Sequence, residues 1–230
     1  MDMPIGVEKN SLAVHYYPFG HQYINFILSN AGECQAFMTD LALFIGTFSG
    51  INGVVLDPMK LMKDTGNLHL YSGIKNCVES LTPLFETFRD RNNTYKDAIE
   101  AGEKCVPFDS FIIIINGLAA LKSELDDTAK EQLNLILERG SNDYNITIII
   151  ADQVKALSSY AYEKWYKQQI TPGNGIWIGN GFTEQYQLKA NKTTAEMREE
   201  MSAGFGFSLI DGVCKKIKLL SEQEEDSNDE

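Results

Sequence analysis

The sequence has no apolar run long enough to cross a bilayer. Its longest uninterrupted aliphatic stretch, Ile112 to Ile115 after Phe111, is far short of the ~20 residues a helical span needs, so neither a crossing nor direct membrane contact is expected. Met1-Asp2-Met3-Pro4 lacks the basic segment and apolar core of a secretory signal, and none is predicted. Cysteines are few and scattered, at Cys34, Cys77, Cys105 and Cys214, with no Cys-x-x-Cys pair and no nearby histidine. That spacing excludes a zinc or disulfide framework and fits reduced thiols. The only histidines are His15, His21 and His69, none in a ligand pattern, so they read as surface or structural and no metal site is expected. Basic residues are the minority, 20 against 32 acidic ones, for a net charge of −12. A nucleic-acid or anionic-membrane binder draws its affinity from clustered Lys and Arg, so both roles are disfavoured. Six of the acids fall in residues 221–230, which reads as a solvated, disordered tail and leaves the body with about half the imbalance.

What remains is an ordinary globular composition, 43% hydrophobic and 23% charged over 230 residues, a length for one large domain at 1–220. Aliphatic runs alternate with segments of helical period. Tyr23 to Leu28, Gly53 to Asp57, Phe111 to Ile115 and Ile146 to Ile150 read as strands. The last two are continuously apolar, as in strands buried on both faces of a parallel sheet. Helices are predicted over Glu33 to Phe48, Ile74 to Asp90, and from an Asp126 or Asp127 cap to Glu138. A further helix over Leu157 to Gln169 would carry the aromatics Tyr162, Trp165 and Tyr166, which with Tyr160 read as core and rim or as an anchor for a partner helix. After Pro172-Gly173 come short strands at Ile176 to Ile178, Phe205 to Ile210 and Lys216 to Leu220. Repeated strand–helix–strand units predict an α/β fold, a mostly parallel sheet flanked by helices with a C-terminal short-strand region.

In such a sheet the turn after the first core strand is the usual phosphate site. Here it is Ser29-Asn30-Ala31-Gly32-Glu33-Cys34-Gln35-Ala36. Aligned with G-x-x-x-x-G-K-[ST], Ser29 and Cys34 replace the glycines, Gln35 the lysine and Ala36 the hydroxyl residue. Gln35 offers an amide dipole where a lysine would reach the phosphates, and Ala36 has no oxygen for magnesium. Glu33 places a negative charge where phosphate would sit. The matching acidic strand end fails likewise: Phe111 to Ile115 is followed by Asn116 and Gly117, neither of which can hold magnesium or polarise water. The pattern is that of an ATPase scaffold with its catalytic positions vacated.

Several segments in order carry a family likeness: Ile5-Gly6-Val7 with its following strand, the 29–36 loop, Val55-Leu56-Asp57-Pro58, and Ile112 to Gly117. Arg139-Gly140, Ile146 to Ile150 with Ala151-Asp152-Gln153, Gly175 to Gly179, and Gly204 to Phe207 complete them. Together they resemble the FtsK/SpoIIIE family of P-loop motor domains along most of the chain. The degenerate loop and acidic tail are most similar to the last, C-terminal ATPase domain of EssC-type proteins, the membrane-anchored ATPases of the firmicute type VII secretion system. The resemblance implies a P-loop NTPase (RecA-like) fold, a place beside other ATPase domains of one polypeptide on the cytoplasmic side of the bacterial membrane, and hexameric rings. It also implies recruitment of secreted WXG100-type proteins. Gln153 would correspond to a γ-phosphate sensor or merely end its strand, and Arg139 to a residue reaching a neighbour's site or a solvated arginine. No catalytic residue and no required cofactor are expected, with Mg-ATP binding open; a working ATPase or translocase is the alternative.

Overall fold

The computed structural model describes residues 1–221; the expected acidic tail, apart from Ser221, lies outside the described residues. In chain order the strands are β1 (Met3–Glu8), β2 (Val14–Tyr17), β3 (Ile24–Ser29), β4 (Asn52–Asp57), β5 (His69–Ser72), β6 (Phe111–Asn116), β7 (Ile146–Gln153), β8 (Gly175–Ile178), β9 (Phe205–Ile210) and β10 (Val213–Leu219). The helices are α1 (Glu33–Gly46), α2 (Ile74–Glu100), α3 (Leu118–Ser123), α4 (Asp127–Arg139), α5 (Val154–Ser158) and α6 (Lys164–Gln169). All ten strands form one sheet in the order β2-β1-β10-β9-β8-β3-β7-β6-β4-β5. From β8 to β5 every neighbouring pair is parallel, and from β2 to β8 every pair is antiparallel. The expected α/β architecture is therefore present, and the short C-terminal strands extend the same sheet.

Alternation along the strands divides the interior into two layers. On one face Phe26, Leu28, Ile113, Ile115, Ile148 and Ile150 pack with α2, α3, α4 and α6. On the other Ile27, Val55, Ile112, Ile114, Ile149 and Ala151 pack under α1 and with the N-terminal strands. Burial on both faces explains why the central strands are unbroken aliphatic runs. Local chemistry sets the helix ends. Asp126 accepts the Ala129 N–H at 2.8 Å and starts α4, as a capping carboxylate should.

Three sequence expectations change. α2 continues ten residues past Asp90 to Glu100, because Arg91 anchors its far half to the backbone carbonyls of Asp109 and Tyr144 at 2.9 and 2.8 Å. The segment expected as one helix over Leu157 to Gln169 is two short helices, α5 and α6, split by a turn at Ser159–Glu163. The turn lets Glu163 approach Lys122 instead of continuing the helical stripe. Of the aromatic group, Trp165 and Tyr166 are buried whereas Tyr162 is 89% exposed. Finally, β5 and α3 are elements that the hydropathy pattern did not announce.

At the antiparallel edge, buried His15 lies between Glu8 (3.2 Å) and Ser208 (2.9 Å). Lys215, Ser11 and His15 hydrogen-bond the Glu8 carboxylate and hold it down to about 2. This network tethers the N-terminal hairpin to β9 and β10. Ser208 is fully buried, so the Ser–His–Glu arrangement has no route to a substrate.

Candidate functional site

The parallel strands end together at β3, β7, β6 and β4, and α1 begins directly above them. The turn between β3 and α1 comprises only Asn30 to Gly32, since the helix starts at Glu33 and takes in Cys34, Gln35 and Ala36. The Ser29 hydroxyl donates to the Ala31 carbonyl at 2.7 Å and accepts the Cys34 N–H at 3.2 Å. Glu33 folds back so that its carboxylate accepts the Ala31 N–H at 3.2 Å. The N–H groups of Gln35 and Ala36 both donate to the Gly32 carbonyl, at 3.1 and 3.2 Å. Asn30 ties the turn to the next segment by donating to the Asn180 carbonyl at 3.0 Å. No residue from 29 to 36 has positive φ, although an anion-binding nest alternates right- and left-handed backbone. The N–H groups of Ala31, Cys34, Gln35 and Ala36 thus donate to the chain's own carboxylate, hydroxyl and carbonyl rather than to a common centre.

The remaining predicted residues surround this turn. Gln35 is buried, with its side-chain amide 4.0 Å from the Met59 sulfur. Asn116 ends β6 fully buried, and its amide donates to the Gln35 carbonyl at 3.5 Å. Gly117 follows at φ 101 as the first turn into α3. Burial pushes the Cys34 thiol up to about 12, so it is an inert core group. Gln153 ends β7 exposed and precedes α5 without a side-chain capping bond. Arg139, the exposed last residue of α4, lies at the opposite end of the central strands, next to Gly140, which abuts Tyr23 just before β3. The structure therefore gathers the 29–36 turn, Asn116 and Gly117, and leaves Arg139 apart from them. Among the described residues no group of three or more His, Cys, Asp or Glu is placed to hold a metal ion.

Beside the turn, rather than within it, a cavity of about 450 Å³ separates α1 from the ends of β8, β9 and β10. Exposed Ala36 faces it, together with Phe37.

Sequence comparison finds no matching protein-family model and no matching curated protein. Solved structures do match. The cytoplasmic domain of EssC superposes with a TM-score of 0.70 at 13% identity, over 95% of this chain and 43% of that one. EssC (ATPases 2 and 3) from Geobacillus thermodenitrificans gives 0.70 and 13%, over 95% and 40%. Thermomonospora curvata EccC (ATPases 2 and 3), in complex with a signal sequence peptide, gives 0.68 and 13%, over 97% and 41%. The fold is that of the EssC and EccC ATPase domains. This chain spans about two-fifths of the length of the structures it matches.

Within that P-loop NTPase fold lie two buried carboxylates, Asp57 and Asp152, to which the sequence assigned no site role. Asp152, on the face opposite α1, accepts N–H groups from Ala119 at 2.7 Å and Gln153 at 2.8 Å, and so anchors α3. Asp57 ends β4 immediately before Pro58. Its Oδ2 holds the turn that follows, by accepting the Met62 N–H at 2.7 Å. It is also completely buried on the α1 face, one strand from Asn116, and Asp57 Oδ1 and Asn116 Oδ1 have no partner among the described residues. The Asp57-Pro58 pair is visible in the sequence; the burial of Asp57 under α1 follows from strand order.

Burial raises the pKa of Asp57, and also that of Asp152. A carboxyl raised on folding binds its proton better in the native state. Its stabilising contribution is therefore full at low pH and is lost as pH climbs from the unfolded value, ~3.9, through the raised one. Asp57→Asn keeps an acceptor for Met62 and cannot ionise. We expect it to leave stability near pH 4 almost unchanged and to raise it at pH 8, by on the order of 1 kcal/mol. Urea unfolding at both pH values measures this; equal midpoint shifts at the two would refute it.

Proposed function

We propose that the chain is a degenerate ATPase module of a membrane-anchored secretion motor, one that recruits or regulates protein substrates instead of hydrolysing nucleotide. The observation that carries this reading is the Glu33 carboxylate on the Ala31 N–H. A built-in anion takes the place at the start of α1 where a nucleotide phosphate would be drawn by backbone amides and the helix dipole. Gln35 and Ala36 lack the cation and the hydroxyl of a phosphate loop, and Asn116 and Gly117 lack the acids. The residues present do not fit Mg-ATP, and no hydrolytic step is derived for them.

The EssC and EccC folds support the remainder. As such a module, the domain works beside other ATPase domains of the same polypeptide on the cytoplasmic side of the bacterial membrane, in a hexameric ring. It recruits WXG100-type proteins to the type VII secretion system. The signal sequence peptide bound to the EccC structure makes peptide recognition by a domain of this fold a direct precedent. Arg139 and Gln153 enter this proposal only as surface positions available to a neighbouring domain.

The experiment is a calorimetric titration with Mg-ATP alongside a hydrolysis assay. We expect no saturable heat and no turnover. Gln35→Lys with Ala36→Thr is also expected to give no turnover, because Asn116 and Gly117 still supply neither acid. Hydrolysis by the unmodified chain would establish the alternative, a working ATPase or translocase domain. Hydrolysis by the double variant would show that the acids lie elsewhere.

A further inference from the structure

Where β4 and β6 end, two buried oxygens on neighbouring strands lack a donor. The parallel register that pairs Leu56 with Ile115 sets the next residues, Asp57 and Asn116, side by side. Val55 and Ile114, two positions earlier, pack on the α1 face, so alternation turns Asp57 and Asn116 to that face as well. Both are completely buried, and each keeps its Oδ1 without a partner among the described residues.

Their other polar atoms are committed. Asp57 Oδ2 accepts the Met62 N–H at 2.7 Å. Asn116 Nδ2 donates to the Gln35 carbonyl, in the first turn of α1, at 3.5 Å. Turning the Asn116 amide round would give Asp57 a donor, but would set Asn116 Oδ1 against the Gln35 carbonyl oxygen. In either orientation one oxygen meets another, which buried acceptors rarely tolerate, unless Asp57 itself carries a hydrogen.

The surrounding charges do not favour an ionised Asp57, and among the described residues no cation pairs with it. In the turn that follows, Lys60, Lys63 and Asp64 are exposed; Lys60 lays its stem against Gly73, and Asp64 accepts the Gly66 N–H. On α2, Lys75 pairs with Glu79, and the Cys77 thiol turns to the Tyr71 carbonyl. β5 sets Ser72 beside Asp57, while its His69 and Tyr71 rings stack on one another. On α1, Glu33 holds the Ala31 N–H, Cys34 is a buried thiol, and Asp40 lines the 450 Å³ cavity.

We propose that Asp57 is kept as a neutral acid whose O–H donates to Asn116 Oδ1, and that losing this proton to water frees Asn116 from α1. The pair is a pH-sensitive latch between the sheet and the start of the helix. An ionised carboxylate repels Asn116 Oδ1 and draws the amide round, and Nδ2 then leaves the Gln35 carbonyl. The first turn of α1, which carries the end of the 29–36 segment, loses its tie to β6. The latch is closed below the Asp57 pKa, which burial raises, and open above it. It is independent of the recruiting role.

The test uses the full chain with ¹³C-labelled aspartate and follows the carboxyl carbons by NMR through a pH titration. The Asp57 resonance is assigned by its loss in Asp57→Asn. We expect Asp57 to titrate above the ordinary ~3.9. In Asn116→Leu, which keeps the volume and removes the acceptor, it should bind its proton about tenfold less tightly, because a bond made only by the neutral acid is gone. Unchanged or tighter proton binding in that variant would overturn the proposal; tighter binding is what an N–H or a water donating to an ionised Asp57 predicts. A titration moved down by added magnesium or potassium would make a cation the occupant, also overturning it.

Amide hydrogen exchange on the parent and Asp57→Asn decides the matter without the Asn116 variant. Corrected for intrinsic rates, protection of the Gln35 and Ala36 amides should fall in the parent as Asp57 ionises. It should stay level over the same range in Asp57→Asn, whose amide donates where the acid did. The same fall in both proteins, or none in either, would overturn the latch.

Discussion

Gly140→Ala should be among the most damaging single substitutions in the protein. The residue has φ −70 and ψ 153, which any amino acid adopts, so the glycine is needed for space. A Cβ there would stand 1.6, 1.9 and 2.2 Å from Cζ, Cε1 and Cε2 of Tyr23. The ring cannot retreat: Tyr23 is buried and its hydroxyl donates to the Ile136 carbonyl at 2.7 Å, one turn back on α4. Backbone must shift at the junction between α4 and β7, and we expect a loss of ~3 kcal/mol or more. For a chain of this size that lowers Tm by roughly 6–12 °C. Scanning calorimetry measures it. Tyr23→Ala added to Gly140→Ala should cost much less than the two separate losses combined, since removing the ring removes the clash. A Gly140→Ala Tm within about 1 °C of the parent would show that the close packing is not real.

The second large effect centres on Lys122, which is buried in α3. Its ammonium donates to Asn134 at 2.9 Å and to the Glu163 carboxylate at 2.6 Å, and lies 4.5 Å from the Tyr160 ring centre and 5.4 Å from that of Trp165. The Trp165 N–H donates to the same carboxylate. One cation thus joins α3, α4, α6 and the turn that divides α5 from α6. Burial lowers the Lys122 pKa, opposed by its bond to Glu163, so the charge is tolerated only because its partners are in place. Lys122→Ala removes the bonds, two cation–π contacts and a filled volume, and leaves Glu163 without its cation. Glu163 is partly exposed and can be rehydrated, so we expect ~2–4 kcal/mol, towards the lower end of buried ion-pair losses. In a double-mutant cycle with Glu163→Gln, equilibrium denaturation should give a coupling of about 1–3 kcal/mol. A coupling near zero would mean that the carboxylate serves Trp165 alone.

The two sites differ in how far the sequence reveals them. Arg139-Gly140 is visible as a dipeptide at a helix end, and glycine there suggests an ordinary C-cap. The ring that requires it comes from Tyr23, more than a hundred residues earlier. Lys122 looks like any surface lysine, because its aromatic neighbours belong to a segment whose pattern suggests a continuous helix. Glu163 breaks that helix by turning back to Lys122, and periodicity cannot register a tertiary ion pair. Extending α2 past Asp90 depends similarly on Arg91 reaching backbone carbonyls across the loop before β6.

The candidate site divides along the same line. Residue identities alone determined that the 29–36 turn lacks a lysine and a hydroxyl, and that β6 ends in an amide and a glycine. Side-chain chemistry is local, and no fold can add a charge that is absent. The unbroken aliphatic runs also determined the buried parallel core, because only a strand covered on both faces can be apolar at every position. Tertiary structure decided where the empty site's hydrogen bonds go. It brought the Glu33 carboxylate onto the Ala31 amide, set Asp57 beside Asn116 under α1, and left Arg139 at the opposite end of the central strands. It also opened the cavity beside α1, whose walls come from residues 33–40, 178–180, 201–205 and 219–221. Those segments meet because antiparallel β9 and β10 fold back beside β8, a pairing of distant strands that short-range pattern does not encode.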